Sequence, residues 1–236
     1  MTHISWLELA WCAIPVILVC LIYLAWQGRP SEVLMASARM VLQLVAVGYV
    51  LVSIFDNPSP WISLAIMALM TIIAGWIAIR PVRHQRGYFI PALLALLLTV
   101  SLHLLISVGL VLQPDSWFEP RLLIPLAGMY FANTMNAISL AAERYQAERR
   151  NQVDATQARL NAFHAAMIPQ INSLLAVGLV ALPGMMTGQI LSGVSPLIAV
   201  RYQIMIMTMI LGSAGIGAAL MLWLLGRLNN SPLTKE

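Results

Sequence analysis

Arg39 and Gln43 stand four residues apart in one long apolar stretch, and Asn133 and Asn136 stand three apart in another. At helical spacing each pair shares a face. Strongly polar groups inside apolar segments are costly, so they are default candidates for function. The first pair could form a polar stripe in a bundle interior. Alternatively, Arg39 snorkels to the nearby interface while Gln43 bonds to a neighbouring helix. Asn133 and Asn136 offer carbonyl oxygens to a cation, or amides to a facing helix. His103, with Ser101 and Ser107 beside it, is a weak metal signal taken alone, and a hydrogen-bonded packing role is the simpler reading. Methionine is abundant, with 14 residues that include Met185 and Met186 beside Pro183-Gly184 and the series Met205, Met207, Met209. Thioethers suit soft cations such as Cu(I), yet methionine also simply fills gaps in apolar cores.

Motifs of soluble enzymes are missing. The sequence has no P-loop, no Gly-x-Ser-x-Gly elbow, no His-Glu-x-x-His and no Cys-x-x-Cys. The chain therefore reads as a non-enzymatic membrane component with no cofactor of its own. If ATP drives it, the ATPase is on another chain.

The elements that must position these residues are membrane helices. Of 236 residues, 60% are apolar and 9% charged, against about 25% charged in a soluble domain. The apolar residues fall in blocks long enough to cross the hydrocarbon core as helices. Seven spans are expected, at 6–26, 33–55, 61–79, 89–112, 122–142, 165–182 and 204–225, with six as the alternative. The fold class is thus all-α, a polytopic transmembrane helix bundle read as one domain. Trp6, Trp26, Trp61, Trp117 and Trp223 lie near span ends, where indole rings favour the headgroup layer.

Arginine and lysine set the expected orientation. With the N-terminus outside and seven crossings, the inner loops hold Arg29, Arg80, Arg83, Arg86, Arg144, Arg149, Arg150, Arg159, Arg227 and Lys235; the outer loops hold Arg121 and Arg201. This placement follows the positive-inside rule and leaves the C-terminus in the cytoplasm. It also argues that the net charge of +4 reflects topology and not a nucleic-acid surface. Cys12 and Cys20, eight apart in the first span, are too far apart along one straight helix for a disulfide.

Two stretches are not simple spans. Residues 143–164 are hydrophilic and rich in helix formers without Gly or Pro, so the fifth helix is expected to continue into the cytoplasm. This extension is either a solvated helix or a docking surface for a cytoplasmic partner, with Glu143, Arg144, Glu148, Arg149, Arg150, Asp154 and Arg159 as the docking candidates. Residues 183–202 are apolar but dense in Gly and Pro. Irregular backbone at membrane depth survives only inside protein or along a cavity, so an outer loop or re-entrant turn is expected there. Gly184/Gly188, Ser213/Gly217, Ala214/Ala218 and Gly215/Ala219 form small-xxx-small pairs, which permit close helix approach within one subunit or across a dimer.

The run Val177-Gly178-Leu179-Val180-Ala181-Leu182-Pro183-Gly184-Met185-Met186-Thr187-Gly188-Gln189-Ile190-Leu191-Ser192-Gly193, with Pro196, Ala199 and Tyr202-Gln203-Ile204, is long and compositionally unusual. Together with Arg39-x-x-x-Gln43-Leu44-x-x-x-Gly48-Tyr49-Val50-Leu51, and Pro125-Leu126-Ala127-Gly128-Met129 followed by Asn133 and Met135, it resembles the membrane subunit of FetB-like iron-export ABC transporters. That family is related to plant permeases for aluminium tolerance. The resemblance implies an inner-membrane permease, a homodimer working with a separate cytoplasmic ABC ATPase that binds the ATP, and export of iron or another metal. It makes Arg39, Gln43, Asn133, Asn136, Met185, Met186 and Gln189 the candidates for the translocation path. Two departures stand out: Ala132 replaces a Gly usual in relatives, and the cytoplasmic segment before Ile168-Pro169 is shorter, lacking a Leu-Gly-Ala-Thr/Ser-Pro-like turn. A permease of this architecture for an organic solute such as a nucleotide sugar, and an uncoupled channel or structural membrane protein, are the alternative readings.

Overall fold

A computed structural model describes residues 5–85 and 87–229. Arg86 and Lys235, counted above among the inner-loop charges, lie outside the described residues. The described chain is helical, and its single extended pairing is a bridge between Val177 and Ala181. Five helical stretches are long and apolar enough to cross a membrane: Trp6–Ala25, Pro30–Asp56, Pro60–Ala78, Phe89–Leu112 and Pro196–Arg227. The chain divides into two compact units, Met1–Asn57 and Pro58–Glu236.

The first unit comprises α1 (Trp6–Ala10), α2 (Ala13–Ala25) and α3 (Pro30–Asp56). The stretch expected as one helix over 6–26 is broken at Trp11 and Cys12. The start of α1 is closed by a capping box: the Ser5 hydroxyl accepts from the Glu8 N–H, and the Glu8 carboxylate accepts from the Ser5 N–H at 2.6 Å. Helices α2 and α3 pack together across a tight turn. Gln27 takes a left-handed φ of 56° there. The turn then requires a glycine, because a Cβ on Gly28 would lie 2.9 Å from Tyr23 Cδ1. Pro30 follows at the first helical turn, where its missing N–H costs nothing. Both cysteines are free; Cys12 is exposed and Cys20 is buried.

The second unit holds α4 (Pro60–Ala78), a 3₁₀ turn (Arg80–Val82), α5 (Phe89–Leu104) with a π-helical continuation (Leu105–Leu112), α6 (Pro120–Arg150), α7 (Ala155–Ala176), α8 (Gly184–Leu191) and α9 (Pro196–Asn229). Helix α6 is the hub and packs against α4, α5, α7 and α9. Its buried face, Leu123, Leu126, Ala127, Tyr130, Thr134, Ala137, Ile138, Ala141 and Tyr145, follows the three-and-four spacing of a helix stripe. Small residues bring the partners close. Ala158, Ala162 and Ala166 are fully buried at every fourth position of α7, as are Ala214 and Ala218 on α9. A Cβ on Gly217 would fall 2.5 Å from Thr134 Cγ2, which makes this the tightest stretch of the α6–α9 contact. Ser213/Gly217 and Ala214/Ala218 therefore serve packing within the subunit. Gly184 and Gly188 meet nothing within 4 Å.

Three local expectations are revised. The polar stretch 143–164 is not one extension of the preceding helix. Helix α6 ends at Arg150, Gln152 turns at a left-handed φ of 61°, and α7 begins at Ala155. The break has a clear local cause: the Asp154 side chain accepts from the N–H groups of Thr156 (2.8 Å) and Gln157 (3.4 Å) and so starts a new helix. These bonds hold the Asp154 carboxyl below the ordinary aspartate range. The stretch expected as a span at 165–182 leaves its helix at Ala176, and 177–182 form a turn around Gly178 at φ 83°. Finally, 183–202 is largely helical: Pro183 caps α8, a turn at Gly193 (φ 94°) follows, and Pro196 opens α9. The prolines stand at helix starts, which they tolerate, and glycines bend the two turns.

Candidate functional site

Helices α6 and α7 do not close fully on one another. Between them lies a cleft of about 450 Å³ lined by polar residues from both walls, with Pro81 of the 3₁₀ turn at its edge. Asn133, Asn136, Ser139 and Glu143 come from α6, and Gln170 and Ser173 from α7. The α6 groups stand three, three and four residues apart, so they form one stripe about 15 Å long at ~1.5 Å per residue. On α7, Gln170 continues the buried alanine stripe by one more step of four. Where Ala158, Ala162 and Ala166 let α7 approach its neighbours, the larger Gln170 meets the cleft instead.

Polar satisfaction in the cleft is incomplete. Asn133 Nδ2 donates to the Met129 carbonyl at 2.8 Å, which holds the amide and leaves its oxygen as the acceptor. Gln170 is only 7% exposed, and its amide makes no hydrogen bond among the described residues. Glu143 is exposed at one end of the stripe and has no ion pair among the described residues. Nearby guanidinium groups are engaged elsewhere. Arg144 pairs with Glu148 at 2.5 Å, and Arg83 stacks on the Trp76 ring at 3.9 Å. Among the described residues no basic side chain lines the cleft, and the one formal charge in its lining is negative.

A second polar set in the same bundle is hydrogen-bonded along its length. Along α5, Thr99 Oγ1 donates to the Ala95 carbonyl, and His103 Nδ1 lies 2.7 Å from the Thr99 carbonyl, to which it donates. Ser107 Oγ donates to the His103 carbonyl at 2.7 Å and receives the Tyr130 phenol from α6, also at 2.7 Å. His103 Nε2 faces Gly212, where an added Cβ would come within 2.5 Å. His103 is therefore a packing residue, as its isolation in the sequence led us to expect.

The remaining candidates are dispersed. Arg39 and Gln43 lie on α3 in the first unit, and both side chains are exposed. Met185 packs against the core formed by α4–α9. Met186 lines a separate, mostly apolar cavity of about 330 Å³ together with Gln203, Met207 and Thr208. Gln189 and Gln203 each bury a side-chain oxygen that has no partner. Sequence reasoning missed Ser139, Gln170, Ser173 and Gln203. Gln170 carried a usable signal, a lone amide on an alanine stripe beside Pro169. Gln203 stood within the family-like Tyr202-Gln203-Ile204 run.

At the other end of α6 and the start of α7, several of the docking candidates support the turn itself. Glu148 is 8% exposed and paired with Arg144, and Arg149 donates to the Val153 carbonyl at 2.8 Å. Asp154 caps α7, Arg150 is exposed, and the Arg159 guanidinium lies against Gly226 of α9. Tyr88 donates to Gln146 at 2.9 Å, and burial pushes its phenol up to about 12. Beside this turn a groove of about 370 Å³ runs between α7 and α9, lined by Gln157, Arg159, Leu160, Phe163, Leu222 and Trp223. Arg227 stacks on Trp223 at 4.2 Å.

Long apolar helices around a polar, partly unsatisfied cleft define a multi-pass helical membrane protein. Over residues 6–228 the sequence matches the family described as "Uncharacterised protein family (UPF0014)", and the chain belongs to that family. It is 35% identical to a UPF0014 membrane protein of Synechocystis sp., over 89% of this chain and 87% of the relative. It is 32% identical to the "Probable iron export permease protein FetB" of Escherichia coli, covering 82% and 80% of the two chains. Protein ALUMINUM SENSITIVE 3 of Arabidopsis thaliana is 32% identical, covering 80% of this chain and 73% of its own. No solved structure matches. The resemblance read from the Leu-Pro-Gly-Met-Met run thus holds, and it reaches both the iron-export permease and the plant aluminium proteins.

Proposed function

We propose that this chain is the membrane permease subunit of an ABC transporter that exports iron or another metal ion, driven by an ATPase on a separate chain. The observation that carries the reading is the α6/α7 cleft. An apolar bundle keeps there a stripe of oxygen-bearing side chains and an unpaired carboxylate, which a purely structural membrane protein would have no reason to retain. The likeness to a probable iron export permease supports the metal substrate. The positive-inside rule supports placing Arg80, Arg83, Arg144, Arg149, Arg150, Arg159 and Arg227 on the cytoplasmic side of the inner membrane, with the N-terminus outside. In this orientation the α6–α7 turn and the groove between α7 and α9 offer the ATPase an apolar floor with a basic rim. A permease homodimer binding two ATPase chains completes the assembly. ATP binding then shifts the permease between inward- and outward-open states.

The test joins the detergent-solubilised chain to a candidate ABC ATPase from the same cell, in a pull-down followed by efflux measurements on reconstituted vesicles. Co-purification and ATP-dependent movement of Fe²⁺ or Mn²⁺ are expected. Co-purification should weaken when an exposed arginine at the α6–α7 turn is reversed in charge by Arg150→Glu. An unaltered chain that captures no ATPase and moves metal regardless of ATP would overturn the reading in favour of an uncoupled channel.

A further inference from the structure

We infer that the α6/α7 cleft is a binding site for a hydrated, hard divalent cation, in which the Glu143 carboxylate supplies the charge and the amide oxygens of Asn133, Asn136 and Gln170 grip the hydration shell. The inference rests on the permease reading above and gives it a location and a ligand chemistry.

The donor set decides the class of ion. Every polar lining group is an oxygen donor or an amide: Asn133, Asn136, Ser139, Glu143, Gln170 and Ser173. Among the described residues no methionine, cysteine or histidine lines the cleft. Carboxylate, carbonyl and water ligands suit Mg²⁺, Mn²⁺ and similar hard ions, whereas thioether and thiolate ligands select Cu(I). The cleft therefore disfavours the soft-cation chemistry that the methionine-rich sequence allowed. The paired methionines 185 and 186 lie away from it, on α8.

Size and charge agree. About six waters at roughly 30 Å³ each occupy on the order of 180 Å³, and the cleft offers about 450 Å³. An ion can thus enter with its first shell intact, which spares the large cost of stripping it. A single carboxylate with several neutral oxygens is the arrangement that holds a partly hydrated divalent ion without trapping it. Glu143 is free for this role because Arg144, its neighbour in sequence, is committed to Glu148.

Gln170 makes the cleft more than a dent in the surface. Gln170 is nine-tenths buried and has no protein partner among the described residues, so its amide is left to meet whatever occupies the cleft. Pro169 adds to the wall. It lacks an N–H and so deprives the Ala165 carbonyl, one turn back, of its helical donor. A hydrated cation in the cleft satisfies the Gln170 amide through its water shell.

The test is Mn²⁺ titration of the full detergent-solubilised chain, followed by the loss of the free-ion electron paramagnetic resonance signal. About one Mn²⁺ per chain is expected. Glu143→Gln should weaken binding by about tenfold or more, the scale of one lost charge-assisted ligand. Asn136→Leu should weaken it less. Asp115→Asn removes an exposed carboxylate from the loop before α6 and should leave binding unchanged. Because Glu143 is exposed, its variant should elute as a folded protein on size exclusion. No saturable binding by the unaltered chain, or equal binding by Glu143→Gln, overturns the inference. Efflux separates the two claims. ATP-driven metal export that survives Glu143→Gln would sink the site and leave the permease standing. Glu143-dependent binding without ATP-driven export would sustain the site and sink the permease reading.

Discussion

The bundle of α4–α9 contains two polar sets in opposite states, one buried and bonded, the other bordering an open cleft where Asn136 and Glu143 are exposed. Thr99, His103, Ser107 and Tyr130 form a chain in which each group meets a partner, and it ends against Gly212 with no space left over. Asn133, Asn136, Glu143 and Gln170 border an open cleft, and at least one buried amide there has no partner. The residue types differ, hydroxyls and an imidazole in one set and amides and a carboxylate in the other, yet both are a few polar side chains at helical spacing. What separates them is whether a neighbouring helix supplies the complementary group. A satisfied network specifies packing, and an unsatisfied one asks for a ligand.

The largest effect that would sharpen this contrast is Gly217→Val. It drives a branched side chain into Thr134 where even a Cβ lies at 2.5 Å. Overpacking typically costs about 1–3 kcal/mol, and separation of α6 from α9 would disturb both sets at once. A clear drop in the thermal midpoint, read by fluorescence-detected size exclusion, is expected. A smaller loss should follow Ser107→Ala. That change leaves the buried Tyr130 phenol without its acceptor, for about 1–3 kcal/mol at most. Metal binding per folded molecule should be unchanged, and a large loss of Mn²⁺ affinity would break the division of labour drawn here. The smallest effect on stability is expected from Gln170→Leu. Replacing an unpartnered buried amide by an apolar group of similar shape is about neutral or slightly stabilising, while Mn²⁺ binding should weaken. A marked destabilisation by this variant would show that Gln170 is packing, like His103.

Much of the fold was legible because hydropathy is additive along a chain. Of the seven spans drawn from hydropathy, five fall on stretches that are long and apolar enough to cross a membrane among the described residues. His103 was also read correctly, since a lone histidine lacks the companions a metal site needs. Asn133 and Asn136 were found as a pair, but their relation to Gln170 was not, because residues 37 and 34 positions away from it in sequence give no periodic signal with it. The break before α7 was missed for a different reason. Asp154 in a run of helix formers looks like one more polar residue, and only its bonds to Thr156 and Gln157 make it a cap. The Gly- and Pro-rich run at 183–202 hid its local order. Composition indicated irregular backbone, yet Pro183 and Pro196 sit where helices begin and allow two helices to form.

By itself the sequence determined the solvent this protein lives in and its family. Both depend on which residues are present and in what order, and a bilayer admits few backbone solutions for such a chain. Only the tertiary structure decided which polar residues are partnered and which are left facing a cleft. Satisfaction is a property of pairs on different helices, set by how closely α6 approaches α5, α7 and α9. That approach depends on a few alanines and glycines whose effect is visible only once the helices are packed.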